Sequence, residues 1–301
     1  MIRVIQNMIL FLLLIGNIVS FGQHDAAYAQ YMFNGLIINP AYAGSNGALN
    51  ATLSYKNQWT GFNNAPKTSA FGIHSPLKNS SSNVGLLAIN DRYGLTTRNR
   101  VLASYAYRIK LNNTLNLSFG LQAGCEALRN DYSKLVTIES NDRSFTNLTP
   151  NSTYFVSGSG IYLNSDKLFL GISMPVMYSG NMNGLNTYKP VFMYSGYKFK
   201  LNSEFSLQPS VLVKYIKGSP VQADFNCLFT YNEKIGIGAS YRTNKTIIAT
   251  AFCQVNKQFL VGYAFENNFS LSFRLPKNSH ELVLKYTFGY YKPLKNPVTF
   301  Y

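Results

Sequence analysis

The sequence predicts an all-β protein that crosses the bacterial outer membrane as a transmembrane β-barrel. Three observations lead to this prediction: the chain begins with an export signal, the rest is rich in aromatic residues and poor in charge, and apolar and polar residues alternate over strand-length segments. We expect about 14 antiparallel strands within residues 48–290, although a count of 12 or 16 fits the pattern too, and we expect both termini in the periplasm.

Residues 1–22 form the predicted signal peptide. Arg3 precedes an apolar stretch that ends at Val19, and the small residues Ser20 and Gly22 follow it. Cleavage after Gly22 would produce a mature chain that begins at residue 23. The apolar stretch is shorter than the roughly 20 residues that a membrane-spanning helix needs, which argues against the alternative of a membrane anchor.

The composition of the chain suits lipid better than water. Charged residues make up 13%, against about 25% in typical soluble domains. Aromatic residues make up 15%, with Tyr 22 and Phe 21. Because no second apolar stretch is long enough for a membrane-spanning helix, strands have to cross the membrane.

Alternation with a period of two marks these strands. In "TLNLSFGLQAGC", Leu117, Phe119 and Leu121 fall on one face, whereas Ser118 and Gln122 fall on the other. The segments "VLASYAYRIK" and "LVLKYTFG" repeat the pattern. Segments of about ten residues suit tilted strands with one face toward lipid and the other toward the lumen. A water-soluble β-sandwich is the alternative fold, but a sandwich rarely separates bulky apolar residues from Gly, Ser, Lys and Arg this consistently.

Short and long connections alternate along the predicted strands, as in bacterial outer-membrane barrels. The short turns contain Asn, which tolerates positive φ and caps its own backbone: "KNSSSN", "LNN", "NSD", "LNSE", "YNEK" and "NK". The longer connections are "DRYGLTTRN", the polar stretch 129–151, "GNMNGLNTYK" and "NNFSLSFRLPKNS". We therefore expect a periplasmic segment at 23–47, the barrel at 48–290 and a tail at 291–301.

Three motifs resemble the PorP/SprF family of outer-membrane proteins of the type IX secretion system: "QYMFNGLIINPAYAGSNG", "SYKNQWTGFNNAPKTSAFGIHSPL" and "SHELVLKYTFG". The chain departs from the family pattern at Gly35, Lys56 and Asn64, where proline, arginine and glycine are expected. The resemblance implies a non-enzymatic barrel that binds other type IX secretion or gliding-motility proteins, or that anchors a secreted surface protein. The implied surface partner is an adhesin or its C-terminal domain. A periplasmic peptidoglycan-associated protein is a further implied partner.

Eight residues of the first two motifs are the candidate partner-binding residues: Tyr31, Phe33, Asn34, Asn39, Pro40, Tyr42, Trp59 and Pro66. Tyr31, Phe33 and Tyr42 would present a periplasmic or lumenal surface to a partner or a plug. Turn chemistry is the structural alternative, in which Asn39 caps the backbone and Pro40 fixes φ. For Trp59, an anchor in the aromatic belt at the membrane interface is the alternative.

No catalytic residue, cofactor site or metal site is expected. The three histidines lack the spacing of metal ligands, and no nucleophile has a base beside it. Calcium binding near Glu139 and Asp142 is the alternative to an ordinary acidic loop. The odd number of cysteines excludes a complete disulfide framework, and Cys125 and Cys227 have lipid-facing parity; a Cys227–Cys253 disulfide is the alternative.

The net charge of +15 raises the question of nucleic acid, but an outer-membrane location argues against that partner. Outer-membrane lipid and lipopolysaccharide are expected to contact the barrel, with lipopolysaccharide phosphates near arginines of the predicted outer loops. These arginines are Arg92, Arg98, Arg100, Arg129 and Arg143. Four other basic residues are predicted to face the lumen: Arg108, Lys110, Lys214 and Lys285. The fold alone would equally permit a passive pore or a fatty-acid-like transporter, which is the alternative function.

Overall fold

The structure is a computed structural model that describes residues 29, 31–78, 81–131, 151–180, 189–269 and 278–289. The predicted signal peptide, the predicted C-terminal tail and most of the polar stretch 129–151 lie outside the described residues.

The described strands form one closed antiparallel barrel of 14 strands, which confirms the predicted fold class and strand number. The strands are β1 (Leu49–Asn57), β2 (Lys67–Pro76), β3 (Ser82–Tyr93), β4 (Thr96–Lys110), β5 (Asn116–Asn130), β6 (Asn151–Asn164), β7 (Leu168–Ser179), β8 (Val191–Tyr197), β9 (Phe199–Lys200), β10 (Phe205–Tyr215), β11 (Gln222–Tyr231), β12 (Ile235–Arg242), β13 (Thr246–Gln254), β14 (Phe259–Asn268) and β15 (Asn278–Phe288). β8 and β9 are one strand interrupted at Lys198, because both pair with β10. Each strand pairs with its neighbours in sequence, and β15 pairs with β1, which closes the barrel.

The two faces of the strands are the ones that the alternation predicts. On β5, Leu121 is 64% exposed on the outside, whereas Gln122 is 3% exposed on the inside. Cys125, Cys227 and Cys253 are exposed and free, so the alternative of a Cys227–Cys253 disulfide is wrong. Apolar side chains therefore cover the outside of the barrel, as contact with lipid requires.

The connections define two ends of the barrel. The turn end has the connections 77–81, 111–115, 165–167, 201–204, 232–234 and 255–258. The loop end has the connections 58–66, 94–95, 131–150, 180–190, 216–221, 243–245 and 269–277. We call the two corresponding parts of the interior the turn half and the loop half.

Asparagine shapes the turn end as predicted. The Asn112 side-chain oxygen accepts hydrogen bonds from the backbone N–H of Thr114 and Leu115, at 2.9 and 2.7 Å. Asn202 and Asn256 make the same pair of bonds in their own turns. These side chains satisfy backbone donors that would otherwise stay unpaired in a tight turn.

One predicted long connection is wrong. The stretch "DRYGLTTRN" is a turn of only two residues, Gly94 and Leu95, because β3 and β4 continue through the polar residues on either side. Gly94 adopts a φ of 58°, a conformation that glycine takes without steric cost. Arg98 and Arg100 consequently lie in strand β4 and not in a loop.

Residues 31–45, which we call the lumenal segment, lie inside the barrel, and every one of them is buried. The segment contains two short 3-10 helices, η1 (Gly35–Ile37) and η2 (Pro40–Tyr42). Within the described ranges, no helix is both long enough and apolar enough to cross a membrane. Of the periplasmic and lumenal locations that the sequence left open for Tyr31, Phe33 and Tyr42, the structure has the lumenal one.

The lumenal segment runs along the barrel from the loop half to the turn half. Just ahead of it, the backbone N–H of Ala29 donates to the Glu281 carboxylate at 2.8 Å, in the loop half. Near its other end, the backbone N–H of Gly44 donates to Nδ1 of His74 at 3.0 Å, in the turn half. The segment therefore crosses most of the interior before β1 begins.

Candidate functional site: the segment inside the barrel

Local sequence explains the compact shape of the lumenal segment. The Asn39 side chain caps η2 by accepting a hydrogen bond from the Ala41 backbone N–H at 2.9 Å, and Pro40 occupies the first position of the helix. The Tyr42 ring lies against Gly35 so closely that a methyl group there would overlap the ring. Glycine at position 35, where the family pattern led us to expect proline, thus allows the segment to fold back on itself.

Hydrogen bonds join the segment to three neighbouring strands of the wall. Asn39 Nδ2 donates to the Ile161 carbonyl at 3.0 Å and to the Tyr194 hydroxyl at 3.1 Å. The Ser173 hydroxyl donates to the Ile38 carbonyl at 2.6 Å. These bonds reach β6, β7 and β8 and satisfy backbone and amide groups that would be costly to bury alone.

Two strands beyond β8, Asn226 Nδ2 donates to the Tyr31 hydroxyl at 2.7 Å, which ties the start of the segment to β11. Next to it, Phe33 packs edge-to-face against Phe252 of β13, with ring centroids 5.4 Å apart. The segment therefore contacts strands that are far apart around the barrel, so it spans the width of the interior.

Tyr42 anchors the other end of the segment among aromatic rings. Its ring centroid lies 5.3 Å from that of His74 and 5.8 Å from that of Tyr162. Burial raises the pKa of Tyr42 to about 12, so its hydroxyl stays neutral at any physiological pH. The Ala41 backbone lies directly against Gly120 of β5, where any side chain would overlap that backbone.

An ion-pair network occupies the loop half. Lys56 of β1 pairs with Glu266 and lies 3.7 Å from Glu281, and Arg242 of β12 donates hydrogen bonds of 2.8–2.9 Å to both Asp224 oxygens. Arg242 also lies 3.8 Å from Glu266, which joins the two groups into one network. Since Glu281 accepts the Ala29 N–H, the network holds the start of the lumenal segment.

A second cluster in the loop half is centred on Glu126. Arg100 and the Tyr154 hydroxyl both bond to this carboxylate, and Arg98 lies 3.4 Å from it. The prediction that Arg98 and Arg100 meet lipopolysaccharide in an outer loop is therefore wrong, because both side chains face the interior. Asp91, also predicted in a loop, is buried in β3 and accepts a 2.6 Å hydrogen bond from Thr68.

The turn half is charged differently. Arg108 of β4 and Lys285 of β15 face the interior there, as predicted, and Lys285 is fully buried. Lys198 also lies there and pairs with Glu233 of a turn at 2.6 Å. None of the carboxylates in the described strands lies in this half.

The structure brings six of the eight candidate partner-binding residues together in the lumenal segment: Tyr31, Phe33, Asn34, Asn39, Pro40 and Tyr42. Trp59 and Pro66 lie apart from them, in the 58–66 connection at the loop end. Trp59 is 38% exposed and has a φ of 48°, a left-handed backbone conformation. Partner binding by these residues stays a prediction.

Sequence reasoning missed the ion-pair network. Its members are Lys56, Asp224, Arg242, Glu266 and Glu281. A usable signal was present, because every one of these residues has lumen-facing parity within a strand. Among the described residues, no group of three His, Cys, Asp or Glu side chains is placed to hold a metal ion.

Comparison with known proteins decides the family. The family described as type IX secretion system membrane protein PorP/SprF matches residues 20–286. The chain belongs to this family. A comparison with curated proteins finds no match.

Solved structures share the barrel fold at low sequence identity. The CymD monoaromatic hydrocarbon channel is 13% identical, with a TM-score of 0.50 over 90% of this chain and 95% of that one. The TodX deltaS2S3 mutant monoaromatic hydrocarbon channel is 10% identical, with a TM-score of 0.49 over 85% and 94%. Omp33 of Acinetobacter baumannii is 9% identical, with a TM-score of 0.46 over 80% and 96%. The family is one of type IX secretion membrane proteins, and the fold is that of outer-membrane barrels.

Proposed function

We propose that this PorP/SprF protein is a non-enzymatic outer-membrane barrel that binds components of the type IX secretion or gliding machinery, or anchors a secreted surface protein such as an adhesin. The observation that carries the proposal is the lumenal segment, which fills the middle of the barrel with the chain's own buried residues. Together with family membership, this supports a role that depends on surfaces and not on passage of solutes.

The contacts of the lumenal segment argue against a passive pore. A solute pathway needs a continuous polar route through the barrel. Here the segment bonds to Ser173 of β7, Tyr194 of β8 and Asn226 of β11. Its aromatic rings pack against Tyr162 of β6 and Phe252 of β13, two strands that lie far apart around the barrel. Opening a route would require breaking several of these contacts at once.

The two ends of the barrel offer different surfaces to partners. At the loop end, the 58–66 connection exposes Trp59 and Phe62, and exposed aromatic residues are enriched at binding hot spots. We propose that this connection faces the secreted protein or its C-terminal domain. The turn end, with its short turns, would face periplasmic components, among them a peptidoglycan-associated protein.

Copurification tests this assignment directly. We would replace Trp59 and Phe62 together by alanine and, as the matched control, Tyr105 and Tyr107, which are exposed aromatic residues on the lipid face of β4. The loop-end variant should lose a secreted partner from detergent-solubilised native membranes, while the control keeps it. Barrel abundance in the outer membrane should be unchanged in both variants.

Conductance separates the proposal from its alternative, a passive pore or a fatty-acid-like transporter. The purified wild-type barrel in a planar lipid bilayer should stay closed, because the lumenal segment occupies the interior. Steady conductance by the wild-type protein, combined with the absence of any copurifying partner, would contradict the anchoring role and favour a passive pore.

A further inference from the structure

The carboxylates of the barrel are distributed unevenly along its axis. Of the chain's 12 acidic residues, those in the described strands all belong to the loop half: Asp91, Glu126, Asp224, Glu266 and Glu281. Each of these carboxylates forms a hydrogen bond or an ion pair with a residue named above. The inward-facing positions of the turn half carry Arg108 and Lys285 without a carboxylate from any described strand.

Arg108 holds buried donor groups that have no partner in the described part of the chain. Its Nε and Nη2 atoms are inaccessible to water and make no hydrogen bond to any described residue. Ser118, its cross-strand neighbour on β5, is 1% exposed, and its hydroxyl likewise has no partner among the described residues. Buried donors are nearly always paired in folded proteins, so two neighbouring side chains with unused donors indicate a missing acceptor.

Arg108 and Ser118 lie where a ligand could reach them through the turn end of the barrel. Ala41 of the lumenal segment packs on Gly120, which is two residues from Ser118 toward the loop end. In the other direction lie Lys110, which is exposed, and Asn116, which is partly exposed. The pair thus lies between the lumenal segment and the turn-end mouth of the barrel.

The chemistry of these groups selects a negatively charged ligand. A guanidinium group presents parallel N–H donors that match the oxygens of a carboxylate or a phosphate. A serine hydroxyl adds a further donor, and the buried ammonium of Lys285 adds positive charge to the same half. We propose that the turn half of the lumen is a binding site for an oxyanion, a carboxylate or phosphate group held by Arg108 and Ser118.

Calorimetric titration of the mature barrel in detergent, in a buffer free of phosphate, tests the site. Inorganic phosphate and N-acetyl-alanylalanine are the two probes, so that a phosphate-bearing ligand and a chain-terminal carboxylate are distinguished. At least one probe should bind saturably, and Arg108→Gln should weaken its affinity at least tenfold. Ser118→Ala should weaken it less, and Arg108→Lys, which keeps the charge but loses the fork, should fall between wild type and Arg108→Gln.

Arg129→Gln is the matched control, since Arg129 is exposed on the outside of β5 near the loop end. The affinity of the Arg129→Gln variant for the probe should equal that of the wild type. Absence of saturable binding of both probes, full affinity in both Arg108 variants, or an equal loss in Arg129→Gln would each overturn the site. The heat-dependent shift in electrophoretic mobility that folded barrels show confirms that each variant is folded.

Discussion

The two halves of the barrel interior use charge in opposite ways. In the loop half, Lys56, Arg242, Asp224, Glu266 and Glu281 form a network whose members satisfy one another. In the turn half, cations face the interior without carboxylates from the described strands. Within the net charge of +15, the described strands thus contribute ion pairs to the loop half and cations without carboxylates to the turn half.

This difference separates structural charge from charge available to a ligand. Buried ion pairs are costly to desolvate, and they persist where geometry and additional hydrogen bonds offset that cost. The fork of Arg242 on Asp224 meets this condition, with both carboxylate oxygens bonded. In the turn half, Nε and Nη2 of Arg108 have no acceptor among the described residues, which is why we propose that an anion binds in that half.

The largest expected effect comes from a substitution that disrupts the ion-pair network of the loop half. Asp224→Asn should lower the free energy of unfolding by about 3–5 kcal/mol, because it leaves the guanidinium of Arg242 buried without its main counter-ion. Urea unfolding of the barrel in detergent or lipid vesicles, followed by tryptophan fluorescence, measures the change.

The same chemical change in the turn half is the control. Glu233 pairs with Lys198, but the Glu233 side chain is 36% exposed. The Lys198 side chain is only 7% exposed, so water screens only the carboxylate side of this pair. Glu233→Gln should therefore cost about 1–3 kcal/mol, less than Asp224→Asn. Equal losses for the two variants would mean that the loop-half network contributes no more to stability than a partly exposed pair.

The sequence predicted the barrel well because the period-two alternation and the turn residues are local signals. The lipid-facing positions of Leu117, Phe119 and Leu121 follow from parity alone, and the turn at Asn112 follows from the chemistry of one side chain. The 94–95 turn was mispredicted because charged residues such as Arg98 resemble loop residues until their partner Glu126 is known.

The site was less predictable because its partners are distant in sequence. The motif around Asn39 and Tyr42 indicated a compact turn, but nothing local showed that the turn lies inside the barrel. Asn39 meets Tyr194, 155 residues further along the chain, and Lys56 meets Glu266 across 210 residues. Such contacts exist only once the barrel has closed.

A second prediction tests how firmly the turn half holds the lumenal segment. Gly120→Val places a side chain where the Ala41 backbone lies, so the segment should shift or detach at a cost of about 1–3 kcal/mol. Hydrogen exchange of the amides of residues 31–45 should accelerate by about tenfold or more, which corresponds to about 1.4 kcal/mol.

Ala123→Val is the control for that variant, because Ala123 is exposed on the lipid face of the same strand. It adds similar volume where no protein atom has to move, so exchange in the lumenal segment should stay at the wild-type rate. Unchanged protection in Gly120→Val would show that the turn half does not confine the segment.

The smallest expected effect concerns a single amide. Asn39→Ala removes the cap of η2 and the hydrogen bonds to Ile161 and Tyr194, which should weaken docking of the lumenal segment by about 1–2 kcal/mol. Asn113→Ala is the matched control, because Asn113 is exposed in the 111–115 turn, away from the lumenal segment, so a change of a few tenths of a kcal/mol at most is expected. Hydrogen exchange of residues 31–45 measures the effect of both variants.

Two outcomes of Asn39→Ala are informative. Faster exchange in the segment that leaves Ala29 and the loop-half network protected would show that the two halves hold the segment independently. Loss of protection along the whole segment would show that the two halves act as one unit.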